Sequence, residues 1–78
     1  MRKMASSVFH RGYEIRVRCV EEEYHWTVVE LVVIGGGVAT SASEFNLRPH
    51  YVSGEAALEN GQVEGRRIID EKLGAPSN

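Results

Sequence analysis

From Tyr13 the chain alternates: Tyr13, Ile15, Val17 and Cys19 fall on one side, and Glu14, Arg16 and Arg18 on the other. A period of two predicts a strand with one face buried and one in water. Upstream, order is expected to begin at Val8 and Phe9, with His10-Arg11-Gly12 as a turn. Met1 to Ser7 are small and polar without a period, which predicts a flexible tail over residues 1–7. Downstream, Glu21-Glu22-Glu23 breaks the alternation and reads as the solvated tip of a hairpin.

A second strand follows over Tyr24 to Ile34, rich in β-branched and aromatic residues. Its faces are less distinct. Thr27, Val29, Leu31 and Val33 form one; Trp26, Val28, Val32 and Ile34 form the other, broken by Glu30. Placing the first set in the core leaves Glu30 in water, where a carboxylate belongs. The same choice leaves Trp26, Val28, Val32 and Ile34 as an apolar outer face, and so as the candidate interaction surface.

Gly35-Gly36-Gly37 ends this strand, and a third is expected from Val38 to about Ser43, returning antiparallel. Pro49 excludes a helix in the stretch from Glu44 to Val52 and permits an extended edge segment. Ser53 then opens the one convincing helix as its N-cap, with Glu55 in the first turn where the helix dipole favours a negative charge. Leu58, Gly61, Gly65, Ile68, Ile69 and Leu73 share one side of it. Gly74 is placed as the C-cap and Pro76 prevents continuation. The two interior glycines on the apolar side imply a helix lying close on the sheet. Together these elements predict an α+β domain over residues 8–74: a three-stranded antiparallel sheet, with room for an extra edge strand, covered on one face by a C-terminal helix. Residues 75–78 are expected as a tail.

Seventy-eight residues allow one domain with a small core, a size at which oligomerisation is a common support. The formal net charge of −2, with Arg and Glu interspersed, argues against nucleic acid or an anionic membrane as a partner. Cys19 is the only cysteine, which rules out an internal disulfide and points to the cytoplasm. The start carries basic residues without the apolar run of a signal peptide, and no apolar run approaches the length of a membrane span.

The stretch LVVIGGGVAT resembles the opening of a dinucleotide-binding motif, a strand running into glycines. The third glycine position of that fingerprint is Thr40, and the following VATSASEFNLRP lacks a helical pattern. The glycines are expected to turn a hairpin, and no cofactor is implied. His10, His25 and His50 are far apart in sequence, without the short paired spacing of a metal site, and are expected to be exposed. Cys19 lies on the apolar face as a small buried thiol. The three consecutive glutamates point in different directions and do not make a cation site. Arg66 and Arg67 each have an acidic residue four positions on, Asp70 and Glu71, which predicts helix-surface pairs. No set of acid, base and nucleophile can be assembled, so no enzymatic activity is expected.

HRGYEIRVRC, followed by HWTVVELVV and SGEAALENGQVEGRRIIDEKL, resembles a group of small uncharacterised bacterial proteins. In these a strand pair with a tryptophan precedes an S-x-E-x-A-L helix ending in I-I-D. The resemblance spans Phe9 to Leu73. In outline it is also similar to HicB-type antitoxins, through Tyr13 to Arg18 and Glu55 to Leu58, without their proline- and cysteine-containing segment after the second strand. The double-stranded RNA-binding domain is a third relative in shape, lacking here its first helix and basic helix start. None of these transfers a functional residue. The function expected is that of a non-enzymatic protein–protein interaction module, as a homodimer or with another protein. The alternative is a regulatory or nucleic-acid-associated protein of antitoxin-like or RNA-binding type.

Overall fold

The computed structural model describes residues 1–41 and 47–74. Four strands, β1 (Lys3–His10), β2 (Tyr13–Glu22), β3 (His25–Gly35) and β4 (Val38–Ser41), form one antiparallel sheet in the order β1-β2-β3-β4, and α1 (Gly54–Leu73) follows. The α+β class and the C-terminal helix are as the sequence predicts, and the sheet has four strands, in keeping with three and an extra edge strand, although the extra strand is β1 at the N-terminal edge.

Each hairpin is closed by two residues with left-handed backbone: Arg11-Gly12 at φ 53° and 82°, Glu23-Tyr24 at 47° and 70°, and Gly36-Gly37 at 61° and 77°. Positive φ at both central residues marks the type I′ turn, whose twist matches that of the flanking strands. The glycine-rich stretch therefore turns a corner between antiparallel strands. The acidic tip is shorter than expected. Glu21 and Glu22 belong to β2, and only Glu23 lies in the turn.

The expected tail is the larger correction. Lys3 to Ser7, assigned to a flexible segment, pair with β2 in unbroken register from Lys3↔Val20 to His10↔Tyr13. Met4, Ser6, Val8 and His10 face the helix, and Ala5, Ser7 and Phe9 point away. Ser6 on the covered side is held by the side-chain amide of Gln62, at 3.0 Å.

β3 changes face partway along. The register jumps from Arg18↔Glu30 to Cys19↔Val28, leaving Val29 without a partner. Such a bulge puts one extra residue in one strand and reverses which side the following residues occupy. Trp26 and Val28 before it and Leu31 and Val33 after it all join the core with Ile15, Val17 and Cys19. Across this surface lies α1, capped by the Ser53 hydroxyl, which accepts from Ala56 N at 3.1 Å. The helix rests on β2 through its glycines: a Cβ at Gly61 would come 2.5 Å from Val17, and one at Gly65 2.5 Å from Ile15. Ala57, Leu58 and Ile69 complete the contact, whereas Leu73, expected on the apolar side, is 44% exposed.

The β3 edge beyond β4 is also covered. Trp26 and Tyr51 exchange backbone N–H···O bonds, both 2.8 Å, and the Thr27 hydroxyl donates to the Pro49 carbonyl at 3.1 Å. The extended edge segment expected around Pro49 thus pairs at Tyr51. Ala42, Ser43, the start of the Glu44–Val52 stretch, Pro76 and the C-terminal tail lie outside the described residues.

Candidate interaction surface

The helix covers one face of the sheet. On the other, cross-strand pairing lines side chains up in rows. Phe9, Glu14, Ile34 and Ala39 form one row; Ser7, Arg16, Val32 and Ser41 the next; Ala5, Arg18 and Glu30 the third. Phe9 is 74% exposed, and Val32 and Ile34 are half-buried among their neighbours. Val32 and Ile34 therefore form an apolar pair on β3, and Phe9 lies two strands away on β1, with Glu14 and Arg16 of β2 between them.

Those charges are arranged pair by pair. Arg16 Nε donates to Glu14 at 3.0 Å, and Glu14 also accepts from the Ser7 hydroxyl. The Ser7 bond, then the arginine, hold the Glu14 carboxyl below its ordinary pKa. Arg18 lies 3.6 Å from Glu30, the pairing that Glu30's outward position makes available. Between Ser7, Arg16, Arg18 and Glu30 lies a shallow depression of about 360 Å³.

The four candidate surface residues are divided by the bulge. Val32 and Ile34 are on the open face, as expected. Trp26 and Val28 are not: they are 6% and 8% exposed and face the helix. Strict alternation over Trp26 to Ile34 cannot anticipate this, because one unpaired residue resets the count. Val29, expected in the core, is the unpaired residue and is 44% exposed. Phe9, missed as a surface residue, is visible in the sequence only once Met4 to Phe9 are read as a strand.

Several other groups come together differently from the expectation. His25 and His50 are in contact, ring centroids 3.8 Å apart, and His10 Nε2 lies 2.8 Å from Asp70 Oδ1. Asp70 is therefore not the partner of Arg66. It joins the β1–β2 turn to the helix end, receiving Arg11 at 3.1 Å while Arg11 also donates to the Gly74 carbonyl. The His10 contact, then Arg11, lowers the Asp70 pKa. Arg67 does meet Glu71 and also grips Glu64, a carboxylate only 3% exposed, through two hydrogen bonds of 2.6 and 2.7 Å. These carboxylates raise the Arg67 pKa. Burial pushes the Cys19 thiol up, away from the reactive thiolate. Among the described residues, no group of three or more His, Cys, Asp or Glu side chains is placed to hold a metal ion.

No helix among the described residues is long and apolar enough to cross a membrane. No family model, curated protein or solved structure matches the chain.

Proposed function

We propose that this protein is a non-enzymatic interaction module of the cytoplasm that docks another protein on the open face of its sheet. The observation that carries the reading is Val32 and Ile34 on β3 and the exposed Phe9 on β1, apolar side chains on the sheet face that the one helix among the described residues does not cover. Apolar side chains on an uncovered sheet face, with polar residues around them, are what a contact surface offers. The Glu14–Arg16 pair between Phe9 and the two β3 residues and the Arg18–Glu30 pair beside Val32 add polar groups of both signs, as protein interfaces have. A nucleic-acid role is the weaker alternative: Arg16 and Arg18 already face carboxylates, and the chain carries a net charge of −2.

The test is site-specific photocrosslinking in living cells, from Val32 and Ile34 and from Glu71 as a control. The reading predicts a discrete protein adduct from the two face positions alone. Equal labelling from all three, or nucleic-acid retention that falls steeply with salt, would reject it.

A further inference from the structure

The two edges of the sheet are treated differently. On one side β4 covers part of β3 with its four described residues, and β3 beyond it is bridged by Tyr51. On the other side β1 runs eight residues from Lys3 to His10 with no bulge, no proline and no charged side chain between its ends. Proteins normally blunt such an edge with one of those devices, because its free N–H and C=O groups pair readily with another strand.

The free groups can be identified. Glu21 N donates to Arg2 O, and the two-residue turn closes the His10–Tyr13 pair, so the even-numbered residues of β1 bond inward to β2. The N–H and C=O groups of Lys3, Ala5, Ser7 and Phe9 point outward. Among the described residues, no backbone hydrogen bond outside the strand ladders reaches them.

We infer that two copies of this chain pair antiparallel through β1, joining their sheets into one of eight strands. Residues directly opposite in such a ladder share a face, so a two-fold axis must pass through a residue position. Placing it at Ser6 uses all four outward residues, opposing Ala5 to Ser7 and Lys3 to Phe9 of the second copy. Shifting the register by one step either way loses a pair. On the covered face the same choice sets Met4 against Val8, two partly buried apolar side chains that extend the core.

The helix supports the same axis independently. Gln62 bonds Ser6, so the axis also passes beside Gln62 and sets the two helices antiparallel about that point. Glu59 of one copy then faces Arg66 of the other, twice by symmetry. Both side chains are exposed and line a depression of about 470 Å³ on this flank, with Glu55, Leu58, Gln62 and Val63. Because each helix lies over β2, the two stand about 14 Å apart at a strand spacing of about 4.8 Å. That exceeds the roughly 8–10 Å of direct helix packing. Long side chains such as Glu59 and Arg66 are what can span it. This edge is distinct from the open face, so the dimer stands or falls apart from the docking reading.

Sedimentation velocity of the full chain over a wide concentration range tests the inference. The expected result is a reversible shift from 8.7 kDa to twice that mass. Ala5→Pro removes one outward N–H, a place where an edge strand tolerates proline, and is expected to give a folded monomer. Glu59→Arg and Arg66→Glu singly should each weaken association about tenfold, and the double reversal should restore it. The reversal pair decides the matter even if Ala5→Pro fails to fold. A wild-type chain monomeric throughout overturns the inference, as does a folded Ala5→Pro dimer or a double reversal no tighter than the singles.

Discussion

Replacing Gly65 tests how the helix meets the sheet. A Cβ there would sit 2.5 Å from Ile15 Cγ2 and 3.1 and 3.2 Å from two further carbons of the same side chain. Carbon atoms in contact are comfortable at about 3.5–4.0 Å. Ile15 is completely buried and β-branched, so its methyl cannot swing aside, and the helix must lift or the strand must shift. Gly65→Ala gains about 1 kcal/mol of helix propensity against an overpacking cost of about 1–3 kcal/mol. The net is a loss of up to about 2 kcal/mol. Gly65→Leu drives a larger group into the same contact and should lose at least about 2 kcal/mol, a fall of roughly 10 °C in Tm for a domain of this size. Thermal melts by circular dichroism and urea titration followed by Trp26 fluorescence would measure both. Asn60→Ala, at an exposed helix position, is the control and should be neutral or stabilising. In a double-mutant cycle Ile15→Ala should relieve part of the Gly65→Ala cost, a coupling on the order of 1 kcal/mol. A Tm raised by Gly65→Leu would refute the close approach of helix and sheet.

Three further outcomes are expected. Glu23-Tyr24→Asn-Gly should stabilise by on the order of 1 kcal/mol, because both residues hold left-handed backbone in a type I′ turn and the 99% exposed Tyr24 ring gives up no contact; an unchanged or lower urea midpoint would contradict the turn. The Cys19 thiol should react with a disulfide reagent only at the rate of global opening, and become fully reactive in denaturant. Asp70 has a pKa below its ordinary value of 3.8, so its stabilising contribution is complete above that value and is lost as pH falls through the lowered pKa; the Tm gap between wild type and Asp70→Asn should therefore close on acidification, and a gap that widened would show the sign to be wrong.

The parts of this fold that the sequence makes legible are those whose pattern is local. The alternation of Tyr13 to Cys19 follows from burial on one side. The helix shows in its Ser53 cap, its first-turn acid and its apolar side. The parts that are not legible depend on distant partners. Lys3 to Ser7 look like a tail because half of their covered side is serine, and Ser6 is satisfied by Gln62, 56 positions away. The outer surface of β3 is half right because the bulge at Val29 depends on how β2 pairs with β3. Trp26 and Val28 therefore sit in the core while Val32 and Ile34 stay outside. Asp70 looks like the partner of Arg66 at helical spacing, yet the β1–β2 turn brings His10 and Arg11 to it instead. His25 and His50 meet only because Tyr51 returns the chain to the edge of β3 beside Trp26.

Amide hydrogen exchange by NMR, repeated from dilute to concentrated protein, reads the bare edge directly. The account predicts that Lys3, Ala5, Ser7 and Phe9 exchange quickly when dilute and become protected together as concentration rises. Met4, Ser6 and Val8, bonded to β2, should be protected throughout. Fast exchange of all seven, or protection of the four outward amides that does not change with concentration, would contradict it.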